Sequence, residues 1–222
     1  MNKPLYLVFD IYGTLFDVTK LSKDCEEVFP GFGSEFSTIW REKQLHYAFV
    51  SELTGTYVTF SSLTRQALQH TAFAHELPLA REDEEKLMAD YLNLPPFPEV
   101  ESVLQELKGS FSICLLSNGG EDMLTPLLAN ANFDKYFDHV WSIDTVRHYK
   151  PSPLAYRLIR DRIGQDADVL FLSSNCWDII GAGRFGFKTA WINRNGLPFE
   201  STGYQPDYVL LDLRDLFSLL EH

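Results

Sequence analysis

The strongest constraint on this chain is the regular alternation of short apolar runs with helix-like segments through its second half. Residues 112–116, 139–143, 168–172, 189–192 and 208–211 are runs of strand length. Between them, 100–107, 122–131, 153–163 and 177–185 read as helices. Successive parallel strands need long crossovers, and helices of this length supply them. The pattern predicts an α/β fold with a parallel sheet and helices on both faces. One further run, Leu-Tyr-Leu-Val-Phe at 5–9, adds a strand at the start and ends on Asp10, ahead of Gly13 and Thr14. A buried strand that finishes on a carboxylate needs hydrogen bonds and a cation, or an exposed turn, to offset desolvation.

A different pattern fills the gap between the first strand and the rest. Residues 16–28 read as a short helix followed by the Pro-Gly-Phe-Gly loop at 30–33. A longer helix spans 34–53, with Phe36, Ile39, Trp40, Tyr47, Phe49 and Val50 on its apolar side and Ser34 or Ser37 as its cap. Helices at 61–73 and 81–91 follow, and no convincing strand occurs. The Leu-Pro-Pro-Phe-Pro stretch at 94–98 is a rigid return. The expected division is therefore a core of 1–14 and 97–222 with a helical insertion of 15–96.

The 222 residues carry 19 lysines and arginines against 31 acids, a formal charge of −12, and no basic run. Nucleic acid and anionic membranes are excluded as expected partners. Cys25, Cys114 and Cys176 have neither metal-type spacing nor an even count, which fits a reducing compartment. The N-terminal apolar run is too short for a signal peptide or a membrane span, so a cytoplasmic location is expected.

Ligands of parallel sheets bind beyond the carboxyl ends of the strands. Asp10 ends the first strand, Ser117 and Asn118 follow the second, Lys150 lies after the third, and Ser173, Asn175 and Asp178 follow the fourth. Each also has a plain reading. Ser117 and Asn118 suit a helix cap, Lys150 a solvated loop, and Asp178 the first turn of a helix. Arg41 suits an exposed helix surface, Trp177 the core, Tyr12 packing against the insertion, and Tyr156 an ordinary helix position. Cys176 reads as packing. Their joint occurrence at successive strand ends favours one crevice.

The order Asp10-x-Tyr12-Gly13-Thr14-Leu15, Ser117-Asn118-Gly119, Lys150-Pro151 and Ser173-x-Asn175-x-x-Asp178 resembles the haloacid dehalogenase superfamily. More closely it resembles the L-2-haloacid dehalogenases within it, and Trp40-Arg41-x-Lys43-Gln44-Leu45 is similar to their cap domain. The resemblance implies a Rossmann-like core with residues 15–96 as an inserted helical cap. It also implies hydrolysis of short L-2-haloalkanoic acids to D-2-hydroxy acids through an aspartyl ester, with a homodimer expected. Phosphatases of the superfamily carry a second Asp two residues after the first, to protonate an alkoxide. Tyr12 stands there in this chain. A halide leaves without a proton, so that acid is dispensable. With only Asp10 and Asp178 at the acidic motif positions, and Lys150 as a fixed charge, neither a metal nor another cofactor is expected.

Roles implied by the resemblance follow. Asp10 is the nucleophile, and Lys150 holds it ionised. Lys150, Ser117 and the amides near Ile11 and Tyr12 hold the substrate carboxylate, while Arg41 and Asn118 receive halide. Thr14, Tyr156, Ser173, Asn175 and Asp178 order the ester and its water, and Leu45, Phe60 and Trp177 form the apolar wall. A magnesium-dependent phosphatase of the same superfamily and a non-catalytic binding protein are the alternatives.

Overall fold

Leu7, Val8 and Phe9 are fully buried, as an apolar run is when its strand is covered on both faces. They belong to β1 (Leu5–Phe9), the first strand of a computed structural model that describes residues 5–200 and 202–221. The sheet is completed by β2 (Ser112–Ser117), β3 (His139–Ser142), β4 (Asp168–Ser173), β5 (Lys188–Ile192) and β6 (Tyr208–Leu210). All pairs are parallel, in the order β3-β2-β1-β4-β5-β6. The chain therefore builds outward from β1 in one direction, then returns and builds in the other. That reversal leaves a crevice at the carboxyl end of β1.

Register brings the strand ends level. Phe9 stands opposite both Leu115 and Leu172. Asp10 is still tied to the sheet, its N–H donating to the Leu172 carbonyl at 2.9 Å. Hence the residues that follow β1, β2 and β4 emerge side by side.

Between β1 and β2 lie α1 (Leu21–Val28), α2 (Gly33–Thr54), α3 (Phe60–Ala74) and α4 (Arg81–Asp90). Among the described residues, 17–95 contain no strand. The segments that enter and leave this helical region run together. Asp17 N–H donates to the Pro95 carbonyl at 2.9 Å, and Phe97 N–H to the Leu15 carbonyl at 3.0 Å. In the second half α5 (Val100–Leu107), α6 (Glu121–Asn130), α7 (Pro153–Ile163) and α8 (Cys176–Phe185) alternate with strands and flank the sheet. In α5 the buried residues Val100, Val103, Leu104 and Leu107 keep the helical spacing that the sequence shows.

The structure departs from the sequence reading at definite points. Neither Ser34 nor Ser37 caps α2. Its start is satisfied by Glu26 of α1, whose carboxylate accepts from Gly31 N–H at 2.6 Å and Gly33 N–H at 2.9 Å. A carboxylate at a helix N-terminus does what a serine cap does, and also answers the dipole. The buried stripe of α2 is Gly33, Phe36, Trp40, Gln44, Ala48 and Ser51, while Val50 is exposed. Apolarity alone misassigns that face because Gln44 is buried with all its groups bonded. Ser117 and Asn118 do not cap α6, which has no side-chain cap. A last helix, α9 (Asp215–Leu220), was not expected, and Leu211 lies outside β6.

Candidate active site

The residues expected at the strand tips do meet. Lys150 is wholly buried, and its ammonium donates to Asp10 Oδ1 at 2.8 Å, to Asp178 Oδ2 at 2.7 Å and to the Leu116 carbonyl at 3.0 Å. The plain reading of a solvated loop lysine does not hold. Burial disfavours the ammonium, but the charges of Asp10 and Asp178 outweigh it and hold the Lys150 pKa above the usual lysine value. Burial also raises Asp178, to about 6, against the opposing pull of Lys150. One cation between two buried carboxylates leaves the cluster short of positive charge.

Asp10 Oδ2 has its own donors: Asn175 Nδ2 at 2.8 Å and the Thr14 hydroxyl at 3.0 Å, with the Ser173 hydroxyl at 3.5 Å. Thr14 Oγ1 in turn accepts from Ser174 N–H at 2.9 Å. Gly13 makes this turn possible, because its φ of +84° lies in the left-handed region. Asp178 lies in the first turn of α8, where the dipole favours it, and Tyr156 donates to its Oδ1 at 2.7 Å. Tyr156 reaches it because Gly181 leaves room. A Cβ at Gly181 would lie 2.5 Å from the Tyr156 hydroxyl and 2.6 Å from Pro151 Cβ.

Ser117 Oγ accepts from Gly119 N–H at 2.9 Å, and Asn118 Oδ1 accepts from Lys150 N–H at 2.9 Å. The turn after β2 is thereby joined to the lysine segment. Two buried donors beside this turn have no hydrogen-bond partner among the described residues: Asn118 Nδ2 and the Tyr12 hydroxyl. A Cβ built on Gly119 would stand 3.1 Å from that hydroxyl. Burial raises the Tyr12 pKa well above the usual tyrosine value, so the group stays a neutral donor.

The helical insertion closes the site from above. Arg41 of α2 is half-buried and stands 6.0 Å from the centre of the Tyr12 ring. Its Nη1 donates to Gln44 Oε1 at 2.5 Å and to the Tyr91 hydroxyl at 3.1 Å, so the guanidinium is aimed at Tyr12 and not left in solvent. Tyr12 packs on Phe60 and Tyr91, with ring centres 6.1 and 5.4 Å apart. Ile11 is fully buried. Trp177 is half-buried, lies against Phe49 of α2 and has Lys150 Nζ 5.8 Å from its ring centre. A cavity of about 570 Å³ is lined by Gly13, Leu45, Asn175, Trp177, Trp191 and Arg194; Asp10 does not line it and is linked to it through the Asn175 amide.

Sequence reasoning missed Gln44, Phe49, Tyr91, Tyr149 and Ser174. Tyr149 is fully buried, packs on Phe60 and Tyr57, and donates to the Val58 carbonyl at 2.6 Å. Gln44 was signalled by its place one helical turn after Arg41. Ser174 was signalled by its place just past β4 and Phe49 by the apolar side of 34–53, whereas Tyr91 and Tyr149 carry no local signal.

A parallel α/β core with a buried, lysine-paired aspartate at the tip of its central strand is the framework of hydrolases that work from a strand-end carboxylate. The haloacid dehalogenase-like hydrolase model matches residues 6–186, and the chain belongs to that family. It is 42% identical to an (S)-2-haloacid dehalogenase of Pseudomonas sp. (strain YL), over 97% of this chain and 94% of that protein. It is 39% identical to haloacetate dehalogenase H-2 of Moraxella sp. (strain B), over 95% of each. Among solved structures, the L-2-haloacid dehalogenase from Xanthobacter autotrophicus superposes with a TM-score of 0.91 at 35% identity, covering 97% of this chain and 98% of that one. The same enzyme with chloropropionic acid covalently bound gives 0.90 at 34% identity, with the same coverage.

Proposed function

We propose that this chain hydrolyses L-2-haloalkanoic acids to D-2-hydroxy acids, with Asp10 as the nucleophile. The observation that carries the reading is the fate of Asp10: buried, with Oδ1 on the Lys150 ammonium and Oδ2 on three donors, and with Tyr12 where a phosphatase would place its general acid. An Asp10 oxygen attacks C2 opposite the halogen, the C–X bond breaks, and the electron pair leaves with the halide. Water then attacks Cγ of the ester, the Cγ–O bond breaks, one water proton passes to the departing C2 oxygen and the other to solvent, and the D-2-hydroxy acid leaves carrying the former Asp10 oxygen. Inversion at C2 occurs once and is kept. Asp178, through its ionised form, and the Asn175–Ser173–Thr14 donors order that water and the ester carbonyl.

The substrate carboxylate fits Lys150, Ser117 and the amides near Ile11 and Tyr12. Arg41, Asn118 Nδ2 and the Tyr12 hydroxyl receive the halide, which supplies the partner that the last two lack. Leu45, Phe60 and Trp177 bound the alkyl group. Lys150 fills the space between the two carboxylates that a magnesium ion would need, so the reaction is read as metal-independent. Residues 15–96 act as a cap domain on a core of 1–14 and 97–222. The free thiols of Cys25, Cys114 and Cys176 fit a cytoplasmic protein, and exposed Leu53 and Phe73 on α2 and α3 fit a homodimer. No described helix is long and apolar enough to cross a membrane.

Chloride release from L-2-chloropropionate tests the reading, with Asp10→Asn as the control. In one turnover in heavy-oxygen water, the label is expected in Asp10 and absent from the product. Label in the product on that first turnover would falsify the ester mechanism.

A further inference from the structure

Arg194 belongs to none of the expected motifs, yet it joins three segments around the nucleophile. It lies in the loop after β5, with its side chain 15% exposed. Its Nη2 donates to the Thr14 carbonyl at 2.9 Å, and its Nη1 to the Gly13 carbonyl at 3.4 Å. On its other side Nε donates to Glu99 Oε1 at 2.9 Å, and Nη2 lies 2.7 Å from the same oxygen. The guanidinium stands 3.8 Å from the centre of the Phe97 ring. Gly13 and Thr14 belong to the segment leaving β1 for the helical insertion; Phe97 and Glu99 belong to the segment returning from it. Those segments are also joined through Phe97 N–H and the Leu15 carbonyl.

We propose that Arg194 is a positioning residue for the reaction: it anchors the Gly13–Thr14 turn to Glu99 and Phe97, and so keeps the Thr14 hydroxyl on Asp10 Oδ2. The inference rests on Asp10 being the nucleophile. Arg194 touches neither Asp10 nor the space for substrate carboxylate at Lys150, and its charge is already answered by Glu99. Its geometry needs a planar fork with an apolar face, since two carbonyls, one carboxylate and a ring are met at once. Displacing a catalytic hydroxyl by about 1 Å costs on the order of 100-fold in rate, so the turn's placement matters more than its charge.

The experiment compares Arg194→Met, Arg194→Lys, Thr14→Val and the Arg194→Met/Thr14→Val double variant in chloride release, alongside wild type and Asp10→Asn. Arg194→Met is expected to lose about 10- to 100-fold in kcat with KM within about threefold. Arg194→Lys is expected to regain the melting temperature, through Glu99, while kcat stays low. The double variant is expected to be slower than Thr14→Val by no more than about twofold, because both changes act through one hydroxyl. Full recovery of kcat with stability in Arg194→Lys overturns the proposal, and so do losses that multiply in the double variant. If Arg194→Met does not fold, the lysine variant alone and combined with Thr14→Val decides by the same criteria. Absence of chloride release from wild type overturns the reading of the site and this inference with it. Normal wild-type release with unchanged kcat in the Arg194 variants overturns the positioning role alone.

Discussion

Lys150 Nζ lies 2.8 Å from Asp10 Oδ1 with no water-accessible surface on the lysine side chain. A pair this deeply buried is costly to assemble and more costly to break from one side. Lys150→Met leaves Asp10 and Asp178 facing each other without a cation. It is expected to lose about 3–5 kcal/mol of stability and nearly all chloride release. Urea unfolding and a halide electrode check the two effects separately. Lys150→Arg keeps the charge but not the compact ammonium, and recovery of full activity in that variant would count against the fit described here.

Asp178 gives a pH dependence with a definite sign. Its carboxyl is raised to about 6 by burial, and the ionised form is the one able to order or activate water. The rate of ester hydrolysis is therefore expected to rise with pH through an apparent pKa near 6, and Lys150, held above its ordinary value, adds no loss near neutrality. Asp178→Asn removes that acid limb and lets the ester accumulate. For stability, a carboxyl raised in the folded state favours folding most when protonated. The contribution is full below the unfolded value of about 4 and declines as pH rises through 6. Unfolding midpoints of wild type relative to Asp178→Asn, at pH 4 and pH 7, measure it.

Tyr12→Phe removes a buried hydroxyl that has no hydrogen-bond partner among the described residues. Losing it breaks no internal hydrogen bond, so stability is expected to change by less than about 1 kcal/mol. Product inhibition by chloride and bromide is expected to weaken, because one halide donor is gone. An unchanged inhibition constant together with a large loss of stability would place Tyr12 in packing alone.

Gly181→Ala tests the support beneath Asp178. The added methyl would meet the Tyr156 hydroxyl at 2.5 Å and Pro151 Cβ at 2.6 Å, and overpacking of this kind costs about 1–3 kcal/mol. Tyr156 is displaced from Asp178, so the acid limb of the pH profile is expected to move as well. A shifted melting temperature with an unmoved pH profile would separate Tyr156 from the Asp178 titration.

Strands and their polar ends were legible because apolar runs of strand length announce themselves and residues just after them share one edge of a parallel sheet. Asp10, Lys150 and Asp178 could be placed together on that basis alone. Arg41 could not, since its position depends on Gln44 and Tyr91, which lie three and fifty residues away in sequence. The start of α2 was misread because a serine is the usual local cap, whereas Glu26 reaches it from the preceding helix. The short helix α9 lacks the length for a clear period, with Leu216 its one buried residue. Phe49, Tyr149 and Arg194 act through contacts between distant segments, which neither spacing nor composition records.

The paired segments at Asp17–Pro95 and Leu15–Phe97 have a consequence for how such a protein can be rebuilt. Entry and exit lie one hydrogen bond apart, so a graft of any length can hang from that point without stretching the sheet, and loop closure grows only slowly with length. Arg41, Leu45 and Phe60 would travel with the graft; Asp10, Lys150 and Asp178 would stay. On the proposed reading, such a graft exchanges the Arg41 end of the halide site and part of the alkyl wall while the nucleophile and its buried lysine stay in place.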